Sequence, residues 1–266
     1  MKHIPRKRFG QNFLKDPAVL DAIIDAIAPR PEDIMVEIGP GMGAMTERLL
    51  PHLKRMDAVE LDRDLASFLK KKFKDTPLTI HQGDALAFDF QSLQPALGQK
   101  IRIVGNLPYN ISTPLLFHLM TFADHVRDQH FMLQKEVVER MAAGHGSKAY
   151  GRLSIMLQWR YDIDMLFTVP PTAFSPAPKV DSAIVRMIPK TSPVPCNPEN
   201  LSKVVTQAFS QRRKIIRNNL APLFSEKALE LAGIDPAKRP EQLTLEQFIT
   251  LSNQLAGNQI KIPGNR

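Results

Sequence analysis

Asn106-Leu107-Pro108-Tyr109 sets an amide, a proline-fixed backbone and an aromatic ring side by side. The apolar run Ile101-Arg102-Ile103-Val104-Gly105 before it predicts a buried strand, and Ile111-Ser112-Thr113-Pro114 after it predicts a helix start. The three groups are therefore presented where a strand ends, the edge at which open α/β sheets bind ligands. None of them is an obvious general base, so the chemistry they could serve is alignment and charge placement. Asn and Pro also favour turns for local reasons. The neighbouring segments must decide between a turn and a site.

Those segments repeat the pattern. Ile34-Met35-Val36-Glu37-Ile38 predicts a first strand, and Gly39-Pro40-Gly41-Met42-Gly43 a tight turn into a helix from about Ala44 to Leu53. Glycines there let backbone and ligand approach closely, as in a nucleotide-binding βα turn. The Gly-x-Gly-x-Gly spacing is neither the dinucleotide nor the Walker pattern, and no Lys-Ser/Thr follows, which argues against a triphosphate. Ala58-Val59-Glu60-Leu61-Asp62 then puts Glu60 about twenty residues beyond the turn, where a carboxylate can accept both hydroxyls of a ribose. Leu78 to Gln82 predicts a third strand ending in Gly83-Asp84-Ala85; Asp84 could accept an exocyclic adenine amine or simply cap a helix. Four successive strand ends thus carry groups suited to a nucleoside.

The remaining elements must position these ends. Asp16-Pro17 is a cap followed by proline at the first helical position, and Val19, Leu20, Ile23, Ile24 and Ile27 recur on one face of the helix it opens. Phe9 to Leu14, ahead of it, is too apolar for a plain tail and is expected to fold over something. After a second cap-plus-proline start at Thr113-Pro114 come a strand at 130–133, a helix at 135–143, a break at 144–147 and a helix through Leu157. Asp162 to Val169 and Ala183 to Ile188 read as strands with no helix between them, which predicts an antiparallel pair because parallel strands need a long crossover. Thr191 to Pro198 is a Pro-rich linker. Helices are expected near 199–209, 212–221 and 225–232, with a last one opened by the Thr244/Gln247 capping box. The domains are placed at 1–190 and 191–266.

Bulk properties narrow the class. The 266 residues carry 35 Lys and Arg against 27 acids, a net charge of +8. Lys2, Arg6, Lys7 and Arg8 have no acidic neighbour, and Lys203 through Arg217 holds Lys203, Arg212, Arg213, Lys214 and Arg217 with no acid, patches that favour a polyanion or a solvated basic face. Cys196 is the only cysteine, and the histidines lack metal-ligand spacing, so no internal disulfide and no metal is expected. No apolar run is long enough to span a membrane and no secretory segment is evident, which points to the cytoplasm.

Taken together, Phe9 to Leu14, Glu37 to Gly43, Glu60, Gly83-Asp84-Ala85, Asn106 to Tyr109 and Phe174-Ser175-Pro176-Ala177-Pro178-Lys179-Val180-Asp181-Ser182 resemble the ribosomal RNA adenine N6,N6-dimethyltransferase family. The resemblance covers essentially the whole chain. It implies an α/β class I S-adenosylmethionine-dependent methyltransferase, Rossmann-like with a mostly parallel seven-stranded sheet, plus a small all-helical C-terminal domain for RNA or ribosome contact. It implies S-adenosylmethionine as methyl donor, held by Gln11, Asn12 and Leu14 at the methionine end, Gly39 and Gly41 at the turn, Glu60 at the ribose and Asp84 with Ala85 at the adenine, with Asn106 between donor and target.

The substrate implied is a pair of adjacent adenosines in a hairpin near the 3′ end of small-subunit ribosomal RNA, within an immature subunit and bound by a monomer. Asn106, Leu107, Pro108, Tyr109 and Phe174 would form the catalytic set. The Asn106 side-chain oxygen and the Pro108 carbonyl would accept the amine protons, Tyr109 would stack on one face of the base, and Phe174 would cover the other. Three rivals stand beside this reading: a methyltransferase of the resistance type acting on large-subunit RNA, a small-molecule methyltransferase, and a ribosome-assembly factor acting mainly by binding.

Overall fold

In the computed structural model of the chain, residues 12–94 and 98–259 are described. Gln11 and the basic residues Lys2, Arg6, Lys7 and Arg8 lie outside them. The short strand β1 (Phe13–Leu14) leads to Asp16, whose carboxylate accepts the backbone N–H groups of Ala18 at 2.9 Å and Val19 at 3.2 Å and so starts α1 (Pro17–Ile27). Leu20, Ile23, Ile24 and Ile27 are buried at the i, i+3, i+4, i+7 spacing of one helix face, in a core shared with Met35 and Met45. Each such burial is worth about 1.5–3 kcal/mol.

The chain continues through β2 (Ile34–Ile38), α2 (Ala44–Leu49), β3 (Met56–Glu60), α3 (Arg63–Lys72), β4 (Leu78–Gln82), β5 (Ile101–Asn106), α4 (Ser112–Met120), β6 (Val126–Gln134) and α5 (Lys135–Ala142). Then come α6 (Arg152–Arg160), β7 (Tyr161–Val169), β8 (Phe174–Ser175), β9 (Ser182–Pro189), α7 (Pro198–Ala208), α8 (Ile216–Leu220), α9 (Glu226–Leu231) and α10 (Leu245–Gln259). Seven strands form one sheet in the order β4-β3-β2-β5-β6-β9-β7, while β1 pairs with β8. The pairings from β4 across to β6 are parallel, and β9 runs antiparallel to β6. The fold class expected from the sequence is the one observed.

Strand order reverses between β2 and β5: the chain leaves β2 toward β3 and β4, then returns to its other side. The carboxyl ends flanking such a switch point open a crevice for ligands. Gly39 follows one of these strands and Asn106 closes the other. Every residue of β2 and β3 is buried, which explains the near-continuous apolar run of β2; β3 also buries the carboxylates of Asp57 and Glu60.

Beneath β5 and β6 the buried Arg102 donates to Asp33 at 2.6 Å, to Asp128 at 2.9 Å and to the Ile27 carbonyl at 2.6 Å. This network carries β6 back to Val126, four residues before the strand predicted from apolar content alone.

Contacts divide the chain into two compact units, Met1–Val138 with Asp162–Pro189, and Glu139–Tyr161 with Lys190–Arg266. The second unit resumes at Lys190, beside the Pro-rich linker. It also takes in α6, which the sequence reading grouped with the first domain: α6 packs on α7 and α10, and the Trp159 indole N–H donates to the Val194 carbonyl at 2.8 Å.

The helix expected at 212–221 is shorter than predicted. Arg212, Arg213 and Lys214 precede α8, and the Arg212 guanidinium donates to the carbonyls of Lys148 and of Tyr150, the latter at 3.0 Å. Among the described residues no helix is long and apolar enough to cross a membrane.

Candidate active site

The turn after β2 needs its glycines. Gly39, Gly41 and Gly43 have φ of +67°, +58° and +81°, conformations that side chains other than glycine rarely adopt. A Cβ on Gly41 would sit 3.0 Å from the ring of Phe13, so β1 lies directly on the turn.

Glu60 closes β3 and is 5 % exposed. Its Oε2 accepts the Gly41 N–H at 3.2 Å and its Oε1 the Asp62 N–H at 2.9 Å. Burial pushes its pKa up while these two N–H groups oppose the shift. Leu61 beside it is 47 % exposed, a large apolar side chain on the pocket wall. On the neighbouring strand end, Asp84 accepts the Leu86 N–H at 2.9 Å within a turn, with no helix after it for the carboxylate to cap, and it lines the pocket with the buried Ala85.

Across the switch point the tetrapeptide is fixed from several sides. The Asn106 side-chain N–H₂ donates to the Asn12 carbonyl at 3.0 Å. Leu107 is buried and its N–H donates to the Met132 carbonyl at 3.2 Å. The Pro108 carbonyl accepts the Ile111 N–H at 3.2 Å, which leaves its second lone pair. The Tyr109 hydroxyl lies 2.7 Å from the Ser182 hydroxyl, and burial raises its pKa.

One pocket collects these groups. Asn12, Leu14, Gly39, Gly41, Glu60, Asp84, Ala85 and all of Asn106 to Tyr109 line it. Phe174 does not. Its ring is 2 % exposed and belongs to the apolar core, where the pairing of Leu14 with Phe174 draws it inward. Sequence reasoning named no role for Phe13, Glu37 or Leu61, which also line the pocket. An acid within the apolar run of β2 was a usable signal for Glu37, and the position after the ribose acid was one for Leu61. Among the described residues no cluster of three or more His, Cys, Asp or Glu could hold a metal.

A seven-stranded, mostly parallel sheet with a glycine turn at its switch point, an acid ending the next strand and a pocket joining them defines a class I methyltransferase. Residues 2–257 match the family described as ribosomal RNA adenine dimethylase, and the chain belongs to that family. It is 62 % identical over 255 residues to the ribosomal RNA small subunit methyltransferase A of Herminiimonas arsenicoxydans, covering 96 % of this chain and 100 % of the relative.

Among solved structures, a dimethyladenosine transferase from Plasmodium falciparum superposes with a TM-score of 0.81 at 29 % identity, covering 93 % of this chain and 98 % of that one. The 23S rRNA methyltransferase ErmE shares the fold, with a TM-score of 0.70 at 24 % identity over 92 % and 100 % of the two chains. The protein is a methyltransferase whose methyl donor is S-adenosylmethionine. The pocket fits that donor: a carboxylate held by backbone N–H groups suits a ribose, an exposed leucine suits a ring face, and buried acid suits a cation.

Proposed function

We propose that the protein methylates the N6 amines of two adjacent adenosines in a hairpin near the 3′ end of small-subunit ribosomal RNA, each to N6,N6-dimethyladenosine. On this reading it works as a monomer in the cytoplasm, on an immature small subunit. Membership of the adenine dimethylase family supports the reaction, and 62 % identity over the whole length of a small-subunit enzyme supports the address. An adenine amine is a poor nucleophile because its lone pair is delocalised into the ring, and in a duplex the base must first be flipped out. S-adenosylmethionine, when bound, supplies an electrophilic methyl group.

The observation that carries the reading is the Asn106–Asn12 bond. Because the N–H₂ end of the Asn106 amide is taken by a carbonyl, its oxygen is the end left to accept a proton from the target amine. The second lone pair of the Pro108 carbonyl accepts the other. Two acceptors favour a pyramidal nitrogen whose lone pair is directed at the methyl group, and Tyr109 stacks on the base. Phe174, paired with Leu14 across the β1–β8 ladder, supports that residue in the pocket. Asn12 and Leu14 would close over the methionine end, the turn at Gly39 and Gly41 would lie along the donor, Glu60 would hold the ribose, and Asp84 with Ala85 would meet the adenine.

The test gives unmethylated small subunits and labelled S-adenosylmethionine to the wild type and to Asn106→Ala. Wild type should yield dimethyladenosine, and the variant should lose about 10²–10³ in kcat, the size typical of a lost charge-stabilising contact. Equal product from both would remove Asn106 from the mechanism. No product from wild type on small subunits, with product on large-subunit RNA, would favour the resistance-type reading.

A further inference from the structure

The Tyr109 ring is anchored at its far end. Its hydroxyl is 2.7 Å from Oγ of Ser182, a residue far along the chain and not among those lining the pocket. Ser182 is fully buried and is the first residue of β9, in antiparallel register with Gln134, the last of β6. The next pair outward is also tied, by the Lys135 N–H on the Asp181 carbonyl at 3.0 Å. The serine hydroxyl is therefore carried by the sheet and not by a loop. At the near end, the Tyr109 carbonyl accepts the Ser112 hydroxyl at 3.1 Å.

A stacking ring has two soft torsions. Holding the phenolic oxygen stops the swing about the first. Because a phenolic oxygen both donates and accepts close to the plane of its ring, the direction of the bond to Ser182 also selects the second.

We infer that Ser182 is a positioning residue, which presents the Tyr109 ring at a fixed angle to the target base. The inference rests on the reading of Tyr109 as the stacking surface. It supplies a chemical reason for tyrosine at this position: phenylalanine would stack as well but could not be tethered. It also bears on double methylation, since the second substrate is an amine one methyl group larger and a fixed ring keeps the pocket wall unchanged between the two transfers.

The experiment measures kcat and KM on unmethylated small subunits, with melting temperature recorded for every variant. Ser182→Ala and Tyr109→Phe remove the same bond from opposite ends. Each should lower kcat by about tenfold, the effect of losing one well-placed hydrogen bond. KM for S-adenosylmethionine should be unchanged, and the double variant should be no slower than either single one, as for two residues acting as a unit.

Multiplied losses in the double variant, or a wild-type kcat in Ser182→Ala beside a crippled Tyr109→Ala, would overturn the tether alone. A wild-type rate in Tyr109→Ala would instead overturn the stacking reading and the inference with it. Should Ser182→Ala fail to fold, Tyr109→Phe decides, because it leaves Ser182 in place; full activity there overturns the tether.

Discussion

Glu37 is the most perturbed acid of the pocket. It is 2 % exposed and accepts the Thr46 hydroxyl at 2.5 Å. Burial pushes its pKa up to about 7, against the Thr46 bond, with the charge of Glu60 adding to the rise. A raised carboxyl contributes stability below its ordinary pKa and loses that contribution as pH climbs through about 7. A ligand bearing sulfonium and ammonium charges reverses the preference, because a cation stabilises the carboxylate. Affinity for S-adenosylmethionine should therefore rise with pH and level off above 7, by about tenfold per pH unit at most on the rising limb. Calorimetric titrations between pH 5.5 and 8.5, a range spanning about one and a half units either side of this pKa, would show it. Glu37→Gln should flatten the profile, and an equally steep profile in that variant would exclude Glu37 as its source.

Among the elements, β2 and β5 depend on Gly105. A Cβ there would come within 2.6 Å of the Ile38 carbonyl oxygen, a backbone atom that cannot step aside. Gly105→Ala should force the two strands apart, cost about 1–3 kcal/mol and weaken cofactor binding, because Gly39 and Asn106 immediately follow the separated residues. Denaturant unfolding with a cofactor titration checks this; an unchanged midpoint would mean the strands already have the room. Elements of this kind were legible where one local pattern governs them: the runs at 34–38, 78–82 and 101–106 are strands, and Asp16-Pro17 does start a helix. Elements set by distant bonds were not. Arg127, Asp128 and Gln129 look too polar for a strand until the buried Arg102 is seen to hold Asp128. Arg212 reads as part of a helix face until its reach to Lys148 and Tyr150 is known. The same holds in the pocket: strand ends announced Glu60, Asp84 and Asn106, whereas the burial of Phe174 follows from a pairing with β1 that no periodicity encodes.

At the scale of the whole molecule, the basic segment before and within α8 divides by task. Arg213 and Lys214 are exposed, while Arg217 pairs with Glu226 at 3.0 Å and Arg212 is engaged with backbone carbonyls. Arg213→Glu and Lys214→Glu should each weaken binding to ribosomal RNA and reduce the slope of log affinity against log salt by about one, with affinity for S-adenosylmethionine untouched. Arg212→Glu should instead lower the melting temperature, since it strips two carbonyls of their donor. Equal effects of all three on RNA binding would show that the segment acts only through its summed charge.

The placement of the aromatic residues gives each unit its own optical label. Trp159, the single tryptophan, lies in the unit made of Glu139–Tyr161 and Lys190–Arg266, together with Tyr150 and Tyr161, whereas Tyr109 lies in the unit that holds the pocket. Light absorbed by the indole alone thus reports on the helical unit, and retention of the methyl donor reports on the other. Whether those two signals are lost at one denaturant concentration or at two is a direct measure of whether the chain unfolds as one cooperative body.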